Sequence, residues 1–355
     1  MNTVCYAIFR LHVLNYISVR SILSFSLSFL FILCFGGFFI TKLKQNQSNG
    51  QPISLYAPES HKHKNGTPTM GGLMILLATI SSSILFCDLG DAGLLLCLLI
   101  FICFGAIGFI DDYTKLKYNK NRGMTSKTKF VLQILFSYIG VYVYRICYTS
   151  ECDIVMPVVK HLSIILPPAL YYAWCIFVTT GSSNAVNLTD GLDGLAAGSI
   201  ISTSLCMAII SYLSGNAIYA DYLHIQHIQC GGDICILLSA VVGATMGFMW
   251  FNAPPAKIFM GDTGSLSIGG LLGFISVILK HEIVFAVIAG VFVFETMSVV
   301  IQLACYKLTG KRPFLMAPIH HHFEKKGIPE STIVFRFWII SIILAILGLS
   351  IVKLK

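Results

Sequence analysis

Of 355 residues only 16 are acidic, and five of these, Asp111, Asp112, Asp190, Asp193 and Asp262, stand at the ends of long apolar segments. An ionised carboxylate costs roughly 2.5 to 3.5 kcal/mol at mid-bilayer on insertion scales, so acids gathered beside hydrocarbon need a metal ion or a cationic substrate. The adjacent pair in Phe109-Ile110-Asp111-Asp112-Tyr113 repels itself unless a proton or cation intervenes. That suits a divalent cation such as Mg2+, or a carboxyl group with a raised pKa acting as a base. A solvated helix end is the competing reading, and it is weakened because helix C-termini favour positive charge. In the run from Asn184 to Gly194, Asp190 and Asp193 share one face if the segment is helical, while the glycines and Asn187 allow close approach to a ligand. Between Asn252 and Ser265, Asp262 adds a further carboxylate flanked by Gly261 and Gly264, just before a helix starts, where a plain N-cap is the alternative.

Basic and imidazole groups accompany the acids. Lys115, Lys117, Lys120, Arg122, Lys127 and Lys129 follow the Asp111-Asp112 pair. They read equally as loop charge at a membrane surface and as phosphate contacts, with Lys127, beside the start of the next apolar segment, the preferred phosphate ligand. Pro318-Ile319-His320-His321-His322-Phe323-Glu324 carries three consecutive histidines, with Lys311 and Arg312 just upstream. Consecutive side chains point apart on a helix or a strand, which disfavours three ligands to one ion. Contact with phosphate or sugar, or proton shuttling, fits the imidazoles better. The whole set suits catalysis on an anionic, metal-bound substrate.

The elements that must position these residues follow from composition. At 56% hydrophobic and 11% charged residues, with a mean hydropathy of +0.79, the chain has too little polar surface for a soluble globule of its size. Recurring apolar runs, each enough to cross about 30 Å of hydrocarbon, predict an all-α integral membrane protein forming a single polytopic domain over residues 1–355. About ten transmembrane helices are expected, at 21–40, 71–88, 93–110, 129–147, 163–182, 194–214, 233–250, 266–279, 282–305 and 333–352. The shortest, 266–279, contains Gly269, Gly270 and Gly273, which offer close helix packing. Alternation puts every motif on one face, whose loops, with Lys129 at a boundary, carry 16 Lys and Arg against 7 on the other. That excess marks the motif-bearing face as cytoplasmic and both termini as outside. Arg336 falls within the last span and leaves the assignment unchanged. The net charge of +8 therefore reflects topology and attraction to anionic lipid, not nucleic-acid binding. Most of the 12 cysteines lie in apolar runs as small hydrophobes; Cys147 and Cys152 are spaced to pair in an outer loop. Residues 1–20 contain Arg10 and His12 with no obvious cleavage site before Arg20, so they read as an extension and not as a removed signal peptide.

Six motifs occur in order along this face: Pro58-Glu59-Ser60-His61, Gly66-Thr67-Pro68-Thr69-Met70-Gly71-Gly72, Asp111-Asp112, Asn187-Leu188-Thr189-Asp190-Gly191-Leu192-Asp193-Gly194, Phe259-Met260-Gly261-Asp262-Thr263-Gly264-Ser265 and Ala317-Pro318-Ile319-His320-His321-His322-Phe323-Glu324. Together they resemble the polyprenyl-phosphate sugar-1-phosphate transferases and, within them, the phospho-N-acetylmuramoyl-pentapeptide-transferase family. The resemblance runs from about Arg20 to the C-terminus; the first twenty residues depart from the family's usual short start. It implies transfer of phospho-MurNAc-pentapeptide from UDP-MurNAc-pentapeptide to undecaprenyl phosphate, a membrane lipid. UMP is released and lipid I is formed for peptidoglycan synthesis, with Mg2+ required, in the bacterial inner membrane. By the same resemblance Asp262 is a Mg2+ ligand, Asp111 and Asp112 are ion-site or base candidates, and Lys115 and Lys127 contact phosphate or nucleotide. Asn187, Asp190, Asp193, Asn252 and Phe259 would line the uridine and diphosphate pocket, Thr69 would bind substrate, and His320, His321 and His322 would meet the sugar-peptide donor. Two other functions compete: a sister transferase using UDP-N-acetylglucosamine, and a secondary transporter, although transporters place coupling acids at the midplane and here only Glu295 sits mid-span. The oligomeric state, a homodimer included, is left open.

Overall fold

The computed structural model describes residues 12–47, 66–117, 123–148, 151–157 and 162–353. The Pro58–His61 motif, Lys120, Arg122 and most of the expected extension lie outside the described residues. Long apolar runs must satisfy their backbone groups within the segment when lipid surrounds them, and they do so as helices. In chain order these are α1 (Ile17–Asn46), α2 (Gly72–Phe86), α3 (Ala92–Lys117), α4 (Ser126–Tyr148), α5 (Pro168–Thr189), α6 (Leu195–Ser214), α7 (Ala217–Tyr222), α8 (Gly231–Asn252), α9 (Gly261–Ile278), α10 (Glu282–Ile288), α11 (Gly290–Thr309), α12 (Ile319–Lys325) and α13 (Glu330–Lys353). Among the described residues eight of them, α1, α3, α4, α6, α8, α9, α11 and α13, are long and apolar enough to cross a membrane, and α2 is a shorter apolar helix of 15 residues. α5 is long enough but carries Thr179, Thr180, Ser182, Ser183, Asn184 and Asn187 along its second half.

The expected spans are met with three adjustments. Residues 163–182 do not begin as helix: Ser163–Ile165 forms strand β2, antiparallel to β1 (Asp153–Val155), and α5 starts at Pro168. Proline at the first helical turn and β-branched Ile164 and Ile165 just before it account for that boundary. Residues 282–305 are two helices divided at Ala289, where Gly290 seats against Leu344 of α13, a break that apolarity alone does not reveal. α9 begins at Gly261, five residues earlier than expected, so Asp262 lies inside its first turn and is not its N-cap; the residue at the cap position is Met260.

α9 is the centre of the bundle, its spanning segment almost wholly buried against α3 and α5. Its short length follows from that position, because protein and not lipid surrounds it. The glycines expected to pack closely do so: a Cβ on Gly270 would lie 2.5 Å from the Phe104 ring, and one on Gly273 would lie 2.8 Å from Cβ of Ser182. Cys97 and Cys175 are fully buried in the core as small hydrophobes, and Cys147 and Cys152 are both free thiols.

Candidate active site

Two glycine contacts bring the acidic motifs together. A Cβ on Gly108 of α3 would lie 2.2 Å from the carbonyl oxygen of Asp262, and one on Gly72 of α2 would lie 2.1 Å from the Gly264 nitrogen. Only hydrogen fits at either place, so α2 and α3 approach the first turn of α9 at backbone distance. Gly261, at φ +74, supplies the left-handed turn that starts α9 under this contact. One helical turn beyond Gly108, Asp112 therefore meets α9 end-on. Its Oδ1 accepts from the Asp262 N–H at 3.2 Å; its Oδ2 accepts from the Thr263 N–H at 3.0 Å and from the Thr263 hydroxyl at 2.7 Å. A carboxylate from α3 thus caps α9, where unpaired amides and the helix dipole favour negative charge.

Asp111, Asp112 and Asp262 each offer an oxygen within 4.8 Å of the others. α3 continues as helix to Lys117, so Asp111 has Lys115 one turn on. Lys115 Nζ lies 2.6 Å from Asp111 Oδ2 and 3.3 Å from Asp262 Oδ2, and Lys129 Nζ of α4 lies 2.6 Å from Asp262 Oδ2 and 3.4 Å from Asp111 Oδ1. Two ammonium groups therefore bridge two carboxylates that repel each other. Asn187 of α5 donates to the remaining Asp262 oxygen and to Ser265 Oγ, both at 2.9 Å. The donors are oxygens throughout, as hard divalent cations require. Opposite charge is already demanded between Asp111 and Asp262, where the lysines supply it.

The turn from Asp190 to Gly194 is not helical, because α5 ends at Thr189 and Gly194 takes φ +80. Asp190 and Asp193 consequently do not share a face. Asp190 lies toward the cluster: removal from water, then the charges of Asp262 and Asp112, push its carboxyl up to about 7 against the lowering effect of the Gly261 N–H. Asp193 turns the other way and accepts from the Ala256 N–H at 3.0 Å, while its own N–H donates to Glu330 at 2.9 Å. Asn252 ties the turn to the next motif, accepting from the Gly194 N–H at 3.0 Å and donating to the Ile258 carbonyl at 2.8 Å. Phe259 is partly buried, and its backbone pairs with Pro68 and Gly71 on either side of Thr69. Thr69 is held by Gln47 through both backbone groups, and its buried hydroxyl has no partner among the described residues.

Lys127 is exposed and enters none of the acidic contacts, whereas Lys129, one of the basic stretch not singled out from sequence, inserts between Asp111 and Asp262. The signal was available only as spacing: α4 starts at Ser126, and residues two apart on a helix face different directions. The three histidines take three partners: His320 Nδ1 meets Glu295 at 3.0 Å, His321 Nδ1 meets Glu324 at 2.6 Å, and His322 Nδ1 accepts from the Leu315 N–H at 3.1 Å. His320 is buried against the Asp190 turn, since a Cβ on Gly191 would lie 2.3 Å from its Nε2.

Comparison with known proteins identifies the family. The family described as Glycosyl transferase family 4 matches residues 94–280, which include Asp111, Asp112, Asn187, Asp190 and Asp262. The first phospho-N-acetylmuramoyl-pentapeptide-transferase signature matches residues 64–76. The chain is 49% identical over 343 residues to the phospho-N-acetylmuramoyl-pentapeptide-transferase of Bartonella quintana (strain Toulouse), covering 97% of this chain and 96% of that protein. It is 50% identical over 344 residues to that of Rickettsia prowazekii (strain Madrid E), covering 96% and 95%. The chain belongs to the phospho-N-acetylmuramoyl-pentapeptide-transferase family.

Proposed function

We propose that this chain transfers phospho-MurNAc-pentapeptide from UDP-MurNAc-pentapeptide to undecaprenyl phosphate, forming lipid I and releasing UMP, with Mg2+ held by Asp262, Asp111 and Asp112. Family membership supplies the reaction. The convergence of three carboxylates and two ammonium groups at one end of the bundle is the observation that carries it to these residues.

Both substrates are anionic, so the site must neutralise charge before their phosphates can meet. Held by Asp111, Asp112 and Asp262, Mg2+ would supply the positive charge that offsets the donor diphosphate and the charge developing on UMP. Lys115 and Lys129 reach the cluster from separate helices and meet phosphate oxygens, and Lys127 does so at the exposed rim. Asp111 orients the lipid phosphate and takes any proton it still carries; a phosphate monoester with a second pKa near 6 is largely ionised at neutral pH, so little base strength is needed. One oxygen of the lipid phosphate bonds to the phosphorus adjoining the sugar as the bond from that phosphorus to UMP breaks. Asn187, Asp190, Asp193 and Asn252 line the nucleotide pocket, with the Phe259 ring for stacking on uracil, while Thr69, His320, His321 and His322 bind the remainder of the donor.

The Lys and Arg excess of the motif-bearing loops supports a cytoplasmic site in the bacterial inner membrane, with both termini outside. UMP release from the detergent-solubilised protein tests the reaction. Release is expected only with the MurNAc-pentapeptide donor and only when undecaprenyl phosphate is present. Release from UDP-N-acetylglucosamine instead would assign the sister reaction, and phospho-sugar trapped on the protein without lipid would replace direct transfer by an aspartyl-phosphate route.

A further inference from the structure

Glu295 sits within α11, fully buried, and its Oε1 has no partner among the described residues. An acid so placed is expensive in a membrane protein, and such residues are retained for a specific partner. The partner here is His320, 1% exposed, whose Nδ1 stands 3.0 Å from Glu295 Oε2. With Glu295 as a carboxylate, which only accepts hydrogen bonds, His320 donates to it from Nδ1. The other ring nitrogen, Nε2, is buried without a partner among the described residues and points at Gly191, the one residue type whose lack of a side chain admits it. Gly191 follows Asp190 in the turn beside the carboxylate cluster.

We propose that Glu295 is a positioning residue acting through His320: by holding Nδ1–H it fixes the imidazole with Nε2 facing the Asp190 turn, where it meets a phosphate oxygen of the nucleotide-linked donor. To donate to that oxygen the ring carries a proton on Nε2 as well, and the Glu295 carboxylate balances the resulting charge. This mid-span acid thereby serves substrate orientation and not ion coupling. The inference rests on the transferase reading above.

The test is a double-mutant cycle on UMP release, using Glu295→Gln, Glu295→Leu, His320→Ala and the two Glu295 changes combined with His320→Ala. The donor kcat/KM is expected to fall about 10-fold in Glu295→Gln, which still accepts the Nδ1 proton but carries no charge, and about 100-fold in Glu295→Leu. KM for undecaprenyl phosphate stays unchanged. With His320 already Ala, either Glu295 change is expected to add less than about twofold. Equal losses with and without His320, or wild-type turnover in Glu295→Leu, would overturn the proposal; if Glu295→Leu does not fold, the Gln arm of the cycle decides. Nitrogen-15 spectra of the histidine rings separate this inference from the reading beneath it. The wild-type protein should show His320 protonated at Nδ1, and Glu295→Gln or Glu295→Leu should shift that signal. An unmoved signal sinks the positioning role, whereas a moved signal without wild-type UMP release sinks the transferase reading alone.

Discussion

Asp112 spends both of its oxygens on the first turn of α9, so its structural and chemical roles cannot be separated by charge alone. Replacing it with Ala leaves two amides of α9 uncapped and is expected to lower stability by about 1–2 kcal/mol, read as a fall in thermal midpoint in detergent. An unchanged midpoint would mean that water or a neighbouring group caps the turn. Asp190 gives a pH signature. Its carboxyl, held up to about 7 in the folded chain, stays protonated where the unfolded chain, with an ordinary value near 4, is ionised. The unfolded state then binds fewer protons, so stability of the cation-free protein should fall as pH rises from about 4 to about 7 and level off above. Asp190→Asn should flatten that slope, as thermal unfolding across this range would reveal; an equal slope in the variant would assign it to another group. All five acids were visible in the sequence as a set. Which of them meet was not, because the turn geometry that sends Asp190 toward the cluster and Asp193 toward Ala256 depends on where α5 stops.

The helices do the positioning through close contacts that leave no room for side chains. Gly108 sets α3 against Asp262, so Gly108→Leu should push α3 off the end of α9, costing about 1–3 kcal/mol of stability and most activity together. Stability lost with turnover retained would show that the carboxylates tolerate separation. Apolar periodicity located α9 but began it five residues late, since Gly261, Asp262, Gly264 and Ser265 look like loop until the partners that bury them are known. The same limit concealed Lys129: its helix was expected, but which face of that helix meets Asp262 is decided by packing against α3 and α5.

At the scale of the molecule, composition alone pointed to a helical membrane protein, and alternation of the expected spans assigned the motifs to one face; the small β1–β2 hairpin and the division at Ala289 lie in tertiary contacts that no hydropathy pattern records. The proposed topology has a direct check. In a background without Cys5, Cys34, Cys147 and Cys152, an impermeant thiol reagent applied to intact cells should label Tyr219→Cys and spare Lys311→Cys; the reverse would invert the membrane orientation. Carboxylates from α3 and α9 are proposed to form one divalent-cation site that governs phosphosugar transfer. UMP release from UDP-MurNAc-pentapeptide with undecaprenyl phosphate, measured across a Mg2+ titration in the wild-type protein and in Asp262→Ala, decides whether this site exists. Mg2+-dependent turnover is expected in the wild-type protein and its loss in the variant, whose thermal unfolding remains cooperative. Retained turnover in Asp262→Ala with the wild-type Mg2+ dependence would contradict it.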